Sequence, residues 1–162
     1  MKKQALFLVA TPVLLLACSR VGPERDVRNE TAAVTSVLDQ YLQAFRASDQ
    51  QGVAQVYAHD DDLVVFGSNP ADRRFGWNAT RTYIEKYFAG VDAIEITLKE
   101  RQVRIHRSGE TAWFSQVLDW KEKAGNETAA MNGLRISGVL EKREGRWLIV
   151  QLHASGPLPV VQ

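Results

Sequence analysis

At Gly90 the hydrophobic period of the chain changes from three and four residues to two, and this change decides which fold classes are open to it. Before it, Val34, Val37, Leu38, Tyr41, Leu42 and Phe45 recur at helical offsets between Thr31 and Ala47, which predicts a helix with one buried stripe. Ser48 or Asp49 would cap a second, shorter helix with Val53, Val56 and Tyr57 on its apolar face. The run "HDDD", His59 to Asp62, breaks the pattern, and "LVVFG" follows as a short strand. A third helix is expected in "ATRTYIEKYFAG", behind Trp77 and Asn78, with Tyr83, Ile84, Tyr87 and Phe88 as its stripe and Gly90 closing it. Beyond Gly90 the segments "AIEITLKERQVRIHRSG", "TAWFSQVLDWKEKAGN", "MNGLRISGVLEKREG" and "RWLIVQLHASG" alternate apolar and polar residues and predict antiparallel strands. Ser108 and Gly109 would turn the first pair, and Glu144 and Gly145 the last. Helices first and strands afterwards give an α+β fold, with three helices against one face of a curved sheet.

With 162 residues, 45% hydrophobic and 24% charged, the chain fits a single globular domain without repeats or low-complexity segments. Its 20 basic and 19 acidic residues are interspersed, which excludes the broad basic face that nucleic acid would require. The start, "MKKQALFLVATPVLLLACS", places two lysines before an apolar run too short for a comfortable membrane span, the layout of a secretory signal. Leu15, Leu16 and Ala17 before Cys18 resemble the bacterial lipobox. That likeness implies a signal peptide over 1–18, lipidation of Cys18, and membrane attachment through the lipid only. Ser19, in place of an aspartate, favours the outer membrane facing the periplasm. Cys18 is the only cysteine, so no intramolecular disulfide is available. The polar stretch 19–29, with Gly22 and Pro23, is expected to be a tether before a domain at 30–157, and 158–162 a tail.

The order of three helices and a bent sheet resembles a SnoaL-like domain of the nuclear transport factor 2-like superfamily. The residues that carry the likeness are "FGWNATRTYIEKYF", "GETAWFS" and "LRISGVLEKREGRWLIVQLHASGP". The tail pattern of Trp147, His153, Ser155 and Pro157 is similar to the end of the association domain of calcium/calmodulin-dependent protein kinase II. The resemblance implies a cone that opens into a pocket between sheet and helices, with a homodimer formed through the outer sheet face. Such cones host isomerases, dehydratases, hydrolases and plain binding modules, so the site must be argued from residues. The base of a related ketosteroid isomerase would align with Val65 or Phe66, neither of which takes a proton. The kinase domain's pocket arginine would align with Gly138, whereas Arg135 stands where the SnoaL-like pattern has an arginine.

Strict alternation along the last strand puts Trp147, Ile149, Gln151, His153 and Ser155 on one face and Leu148, Val150, Leu152 and Ala154 on the other. If the first set lines the cone, His153 and Ser155 reach the pocket. Arg135, Asp119, Tyr41, Tyr57, Trp77 and Trp113 are the further candidates to join them. The expected function is binding or carriage of a small, largely apolar molecule with one polar or anionic group. An alternative is a cofactor-independent isomerase, dehydratase or hydrolase in which His153 is the acid or base and Asp119 orients it. A third reading is an assembly module with a filled cone. One β-bulge in the last strand would reverse which side chains face inward. No cofactor is expected, since no glycine-rich loop suggests a nucleotide. No metal is expected either: "HDDD" matches no ligand spacing and reads as a solvated loop. His106 beside a hairpin turn reads as exposed, and His153 with Ser155 lacks the strained elbow and oxyanion hole of a serine hydrolase.

Overall fold

In a computed structural model the described residues are 23–69 and 71–156, with side chains described from residue 26 onward. The signal-like segment, Cys18 and the last residues from 157 lie outside them. Helix α1 (Pro23–Arg46) and helix α2 (Gln50–Val56) are followed by strands β1 (Val64–Phe66) and β2 (Arg73–Phe75), then helix α3 (Trp77–Gly90). Four long strands complete the chain: β3 (Ala93–Ile105), β4 (Thr111–Ala124), β5 (Glu127–Arg143) and β6 (Arg146–Ser155). They form one six-stranded sheet in the order β2-β1-β6-β5-β4-β3. The expected α+β class and the three helices are both present.

Each helix forms for the reason its sequence suggests. Val34, Leu38, Tyr41, Leu42 and Phe45 of α1 are buried against the sheet, and the Asp49 carboxylate accepts the Gly52 N–H at 3.0 Å, capping α2. Ile84 and Phe88 anchor α3, whose cap is Gly76 at φ 79°, a left-handed conformation that suits glycine. Glu144 and Gly145 both have positive φ, as a two-residue hairpin of primed type requires.

Three departures from expectation shape the molecule. Helix α1 begins at Pro23, so part of the segment read as a tether is helical. What holds this turn is long-range: the Glu30 carboxylate accepts Lys142 Nζ at 2.6 Å and the Trp147 indole N–H at 2.7 Å, fixing the helix to the β5–β6 hairpin. The short strand β2 pairs with β1, and β1 runs parallel to β6 rather than antiparallel. The third departure is that long strands carry bulges: Lys99 is extra on β3, Gly133 on β5 and Val150 on β6. Each extra residue bends its strand and raises the local twist, which curls the sheet around α1 and α3.

The bulge at Val150 corrects the reading of the last strand. Val139 pairs with Gln151 but Leu140 pairs with Ile149, so Val150 has no partner and the face changes there. Trp147 and Ile149 are buried before the bulge, and Leu152 is buried after it at 3% exposure. His153 is therefore exposed on the outer face, and Ser155 shares that face.

Candidate functional site

The cone is open. Between α1, α3 and the inner face of the sheet lies a cavity of about 220 Å³. Its walls are mostly apolar, with Phe45 from α1, Trp120 from β4, Ile136 from β5 and Leu152 from β6. Val65, which the resemblance placed at an isomerase's base position, also lines it and supplies no proton acceptor.

The polar groups of the cavity come from elements that the periodicity left unread or treated as core. Arg74 stands opposite Val65 on β2 and points inward, with its side chain only 10% exposed. Its Nη1 pairs with the Asp72 carboxylate, its guanidinium carbon lies 3.8 Å from the centre of the Tyr83 ring, and its Nε has no hydrogen-bond partner among the described residues. A buried donor without an acceptor costs on the order of 1–3 kcal/mol, which singles out this nitrogen among the polar atoms of the cavity wall. Gly67 makes the Asp72 placement possible: a Cβ there would meet the Asp72 carboxylate at 1.9 Å.

Two phenols share this end of the cavity. Tyr41 and Tyr57 are buried at 4% and 3% exposure, with ring centres 6.1 Å apart in an edge-on arrangement. Burial pushes both hydroxyls well above the ordinary tyrosine value, so both remain protonated. Burial also pulls the Arg74 guanidinium below its ordinary value, and the neighbouring tyrosines pull it back upward. At the other end Tyr87 donates its hydroxyl to Oε2 of Glu122, and burial, reinforced by that carboxylate, raises the Tyr87 value.

The structure brings together only part of the expected site. Tyr41 and Tyr57 line the cavity, whereas His153, Ser155, Arg135 and Trp113 lie on the opposite, outer face, with Trp113 48% exposed. Trp77 packs beside the core under His59, whose ring stacks on it at 4.2 Å, and does not line the cavity. The expected pairing of His153 with Asp119 is not formed. His153 aligns through Ser137 with Ser115, so Asp119 is two strands away and four residues along, a separation of roughly 16 Å. Asp119 instead holds the bulges on its two neighbours: it accepts the Gly133 N–H at 3.1 Å and pairs with Lys99 Nζ at 2.8 Å. These contacts, Lys99 first, lower its carboxyl below the usual aspartate range. Of the other histidines, His59 Nε2 donates to the Ala54 carbonyl and His106 bonds Ser108 at its hairpin turn, as an exposed residue. No histidine among the described residues lines the cavity. The "HDDD" run forms a turn in which Asp60 pairs with Arg143.

A helix-covered cone with an inner cavity is the architecture of the nuclear transport factor 2-like superfamily, and solved structures of that superfamily share it. A superfamily protein from Salmonella enterica serovar Typhimurium superposes with a TM-score of 0.73 at 16% identity, over 83% of this chain and 95% of that one. A candidate scytalone dehydratase from Novosphingobium aromaticivorans matches at a TM-score of 0.72 and 13% identity, over 81% and 86% of the two chains. A candidate calcium/calmodulin-dependent protein kinase II association domain from Xanthomonas campestris matches at 0.65 and 23% identity, over 94% and 100%. Such identities speak for the fold alone. The SnoaL-like domain family model matches residues 34–159, and the chain belongs to that family. No curated protein sequence matches it.

Proposed function

We propose that this protein binds a small molecule with a largely apolar body and one acceptor or anionic group, held inside the cone by Arg74. The observation that carries this reading is the buried guanidinium whose Nε lacks an acceptor among the described residues, at one end of a cavity walled largely by apolar and aromatic side chains. Tyr41 and Tyr57, held protonated by burial, add donors to the same end. Benzoate is a suitable probe, since its ring suits the walls and its carboxylate suits the guanidinium. Calorimetry should show benzoate binding to the wild type and a loss of at least about tenfold in Arg74→Met, the scale of one charge-assisted hydrogen bond. Equal affinity in the two proteins would refute the assignment.

A dehydratase reading has one observation in its favour: the carboxylates of Asp72 and Glu122 face the same cavity as three protonated tyrosines. Each carboxylate is already engaged by a donor, Asp72 by Arg74 and Glu122 by Tyr87, and binding is therefore the reading preferred here.

The cell-envelope assignment stands with this proposal. The lipobox supports a domain anchored through Cys18, and no helix among the described residues is long and apolar enough to cross a membrane. Labelled palmitate should enter the wild type and not Cys18→Ser. Self-association through the outer sheet face is supported by exposed Trp113 beside half-buried Val117 and Val139. Light scattering should report a dimer that Trp113→Arg dissociates.

A further inference from the structure

The cavity has a second pole. Along one wall the Arg74 guanidinium covers one face of Tyr83, Tyr83 stacks on Tyr87 with ring centres 5.9 Å apart and planes 6° apart, and Tyr87 donates to Glu122. A cation and an anion thus stand at the two ends of a two-ring ladder, and both line the same space. The cationic end is neutralised by Asp72, while Glu122 forms no ion pair with any lysine or arginine among the described residues. One of its oxygens takes the Tyr87 hydroxyl, and a carboxylate has lone pairs for further donors. Between the poles the facing walls, Leu134, Ile136 and Leu152, offer a ligand no polar side chain.

From this we infer that the cone selects dipolar ligands: a compact apolar body with a carboxylate or carbonyl at one end, for Arg74, and an ammonium or hydroxyl donor at the other, for Glu122. The inference rests on the binding reading above and adds the ligand's second functional group. Charge arrangement is its physical basis. A monoanion answers Arg74 but places its far end beside an unpaired carboxylate, and a ligand-borne donor turns that unfavourable contact into a charge-assisted hydrogen bond.

The test compares benzoate, benzylamine and 4-(aminomethyl)benzoate by calorimetry on the full-length chain in detergent. The dipolar compound should bind about tenfold more tightly than benzoate, and Glu122→Gln should reduce that advantage to less than about twofold, with benzoate bound no more weakly than by the wild type because the opposing charge is gone. Retained benzoate binding shows that the variant is folded, and Gln still accepts the Tyr87 hydroxyl. Equal affinities for the two acids, or an advantage that survives Glu122→Gln, would overturn the dipolar assignment while an Arg74-dependent benzoate signal upholds the first reading. If none of the three compounds binds the wild type, both fall.

Discussion

Both faces of β6 carry apolar side chains, yet only one of them meets the cavity. Leu152 and Ala154 line the cone, while His153 and Ser155, their immediate neighbours, face away from it. The side chains themselves do not decide this; the unpaired residue Val150 does, by shifting the strand one position against β5. In a sheet whose side chains alternate with period two, one added residue moves every later side chain to the other face. The more reactive set of residues thus became surface, and the inert set became the wall of the site.

Inserting one alanine between Gln151 and Leu152 is the most direct way to break this contrast. With the bulge at Val150 kept, alternation would then send Leu152 and Ala154 outward and His153 and Ser155 inward. Exposing the leucine and burying an imidazole without a built partner should together cost about 4 kcal/mol, read as a lower denaturation midpoint. Benzoate binding should disappear with it. An insertion variant as stable as the wild type would mean that the position of Leu152 in the alternation does not set the faces.

The inner face can also be tested beside the bulge. Gly138 pairs with Leu152, and a Cβ there would meet the Gln151 carbonyl oxygen at 2.3 Å and the Phe114 ring at 2.7 Å. Both obstacles are rigid, so Gly138→Ala should destabilise the protein by about 2 kcal/mol in urea unfolding, the usual scale of overpacking. A neutral result would mean that the strand relaxes there, and that the face change is held by Val150 alone.

Away from the cavity, the tie between α1 and the β5–β6 hairpin sets the orientation of the helix that carries Tyr41 and Phe45. The Lys142 ammonium and the Trp147 indole hold the Glu30 carboxyl below the usual glutamate range, the lysine contributing more. A depressed folded value means that the unfolded chain takes up the proton first as pH falls. The stabilisation is therefore present above the ordinary glutamate pKa and is lost as pH drops through the lower folded one. Glu30→Gln should cost about 1 kcal/mol at pH 7 and flatten the acid limb of stability against pH. An unchanged acid limb would remove Glu30 from the account.

These elements also show what sequence periodicity can report. The stripes of α1 and α3 and the alternation of β3 to β6 are averages over many residues, and they survive one irregular position. Helix α1 before Glu30 has no apolar stripe and is held by contacts more than a hundred residues away, so its start was invisible. Strand β2 is the three residues "RRF", too short to alternate, and it carries Arg74. The turn residues "SNPAD" between "LVVFG" and "RRF" were the available signal: a hairpin there sets Arg74 opposite Val65, a position the resemblance had already placed in the pocket. Tyr41 and Tyr57 were legible because they belong to helical stripes. His153 was misplaced because alternation carries no warning of a bulge.

The smallest expected effect sharpens the contrast most. If the outer face takes no part in binding, His153→Ala should change benzoate affinity by less than about twofold, the range of surface substitutions remote from a site. Its ring contacts Phe66 edge-on at 6.3 Å and lies on the far side of the sheet from Arg74, so no charge or hydrogen bond reaches the cavity from it. Calorimetry on the His153→Ala and Arg74→Met proteins, run in parallel, separates the two faces in one experiment. Loss of binding in both would mean that the faces communicate through β6, and the outer face would re-enter the site. Loss in Arg74→Met alone leaves His153 as a residue of the surface, placed there by the one unpaired valine before it.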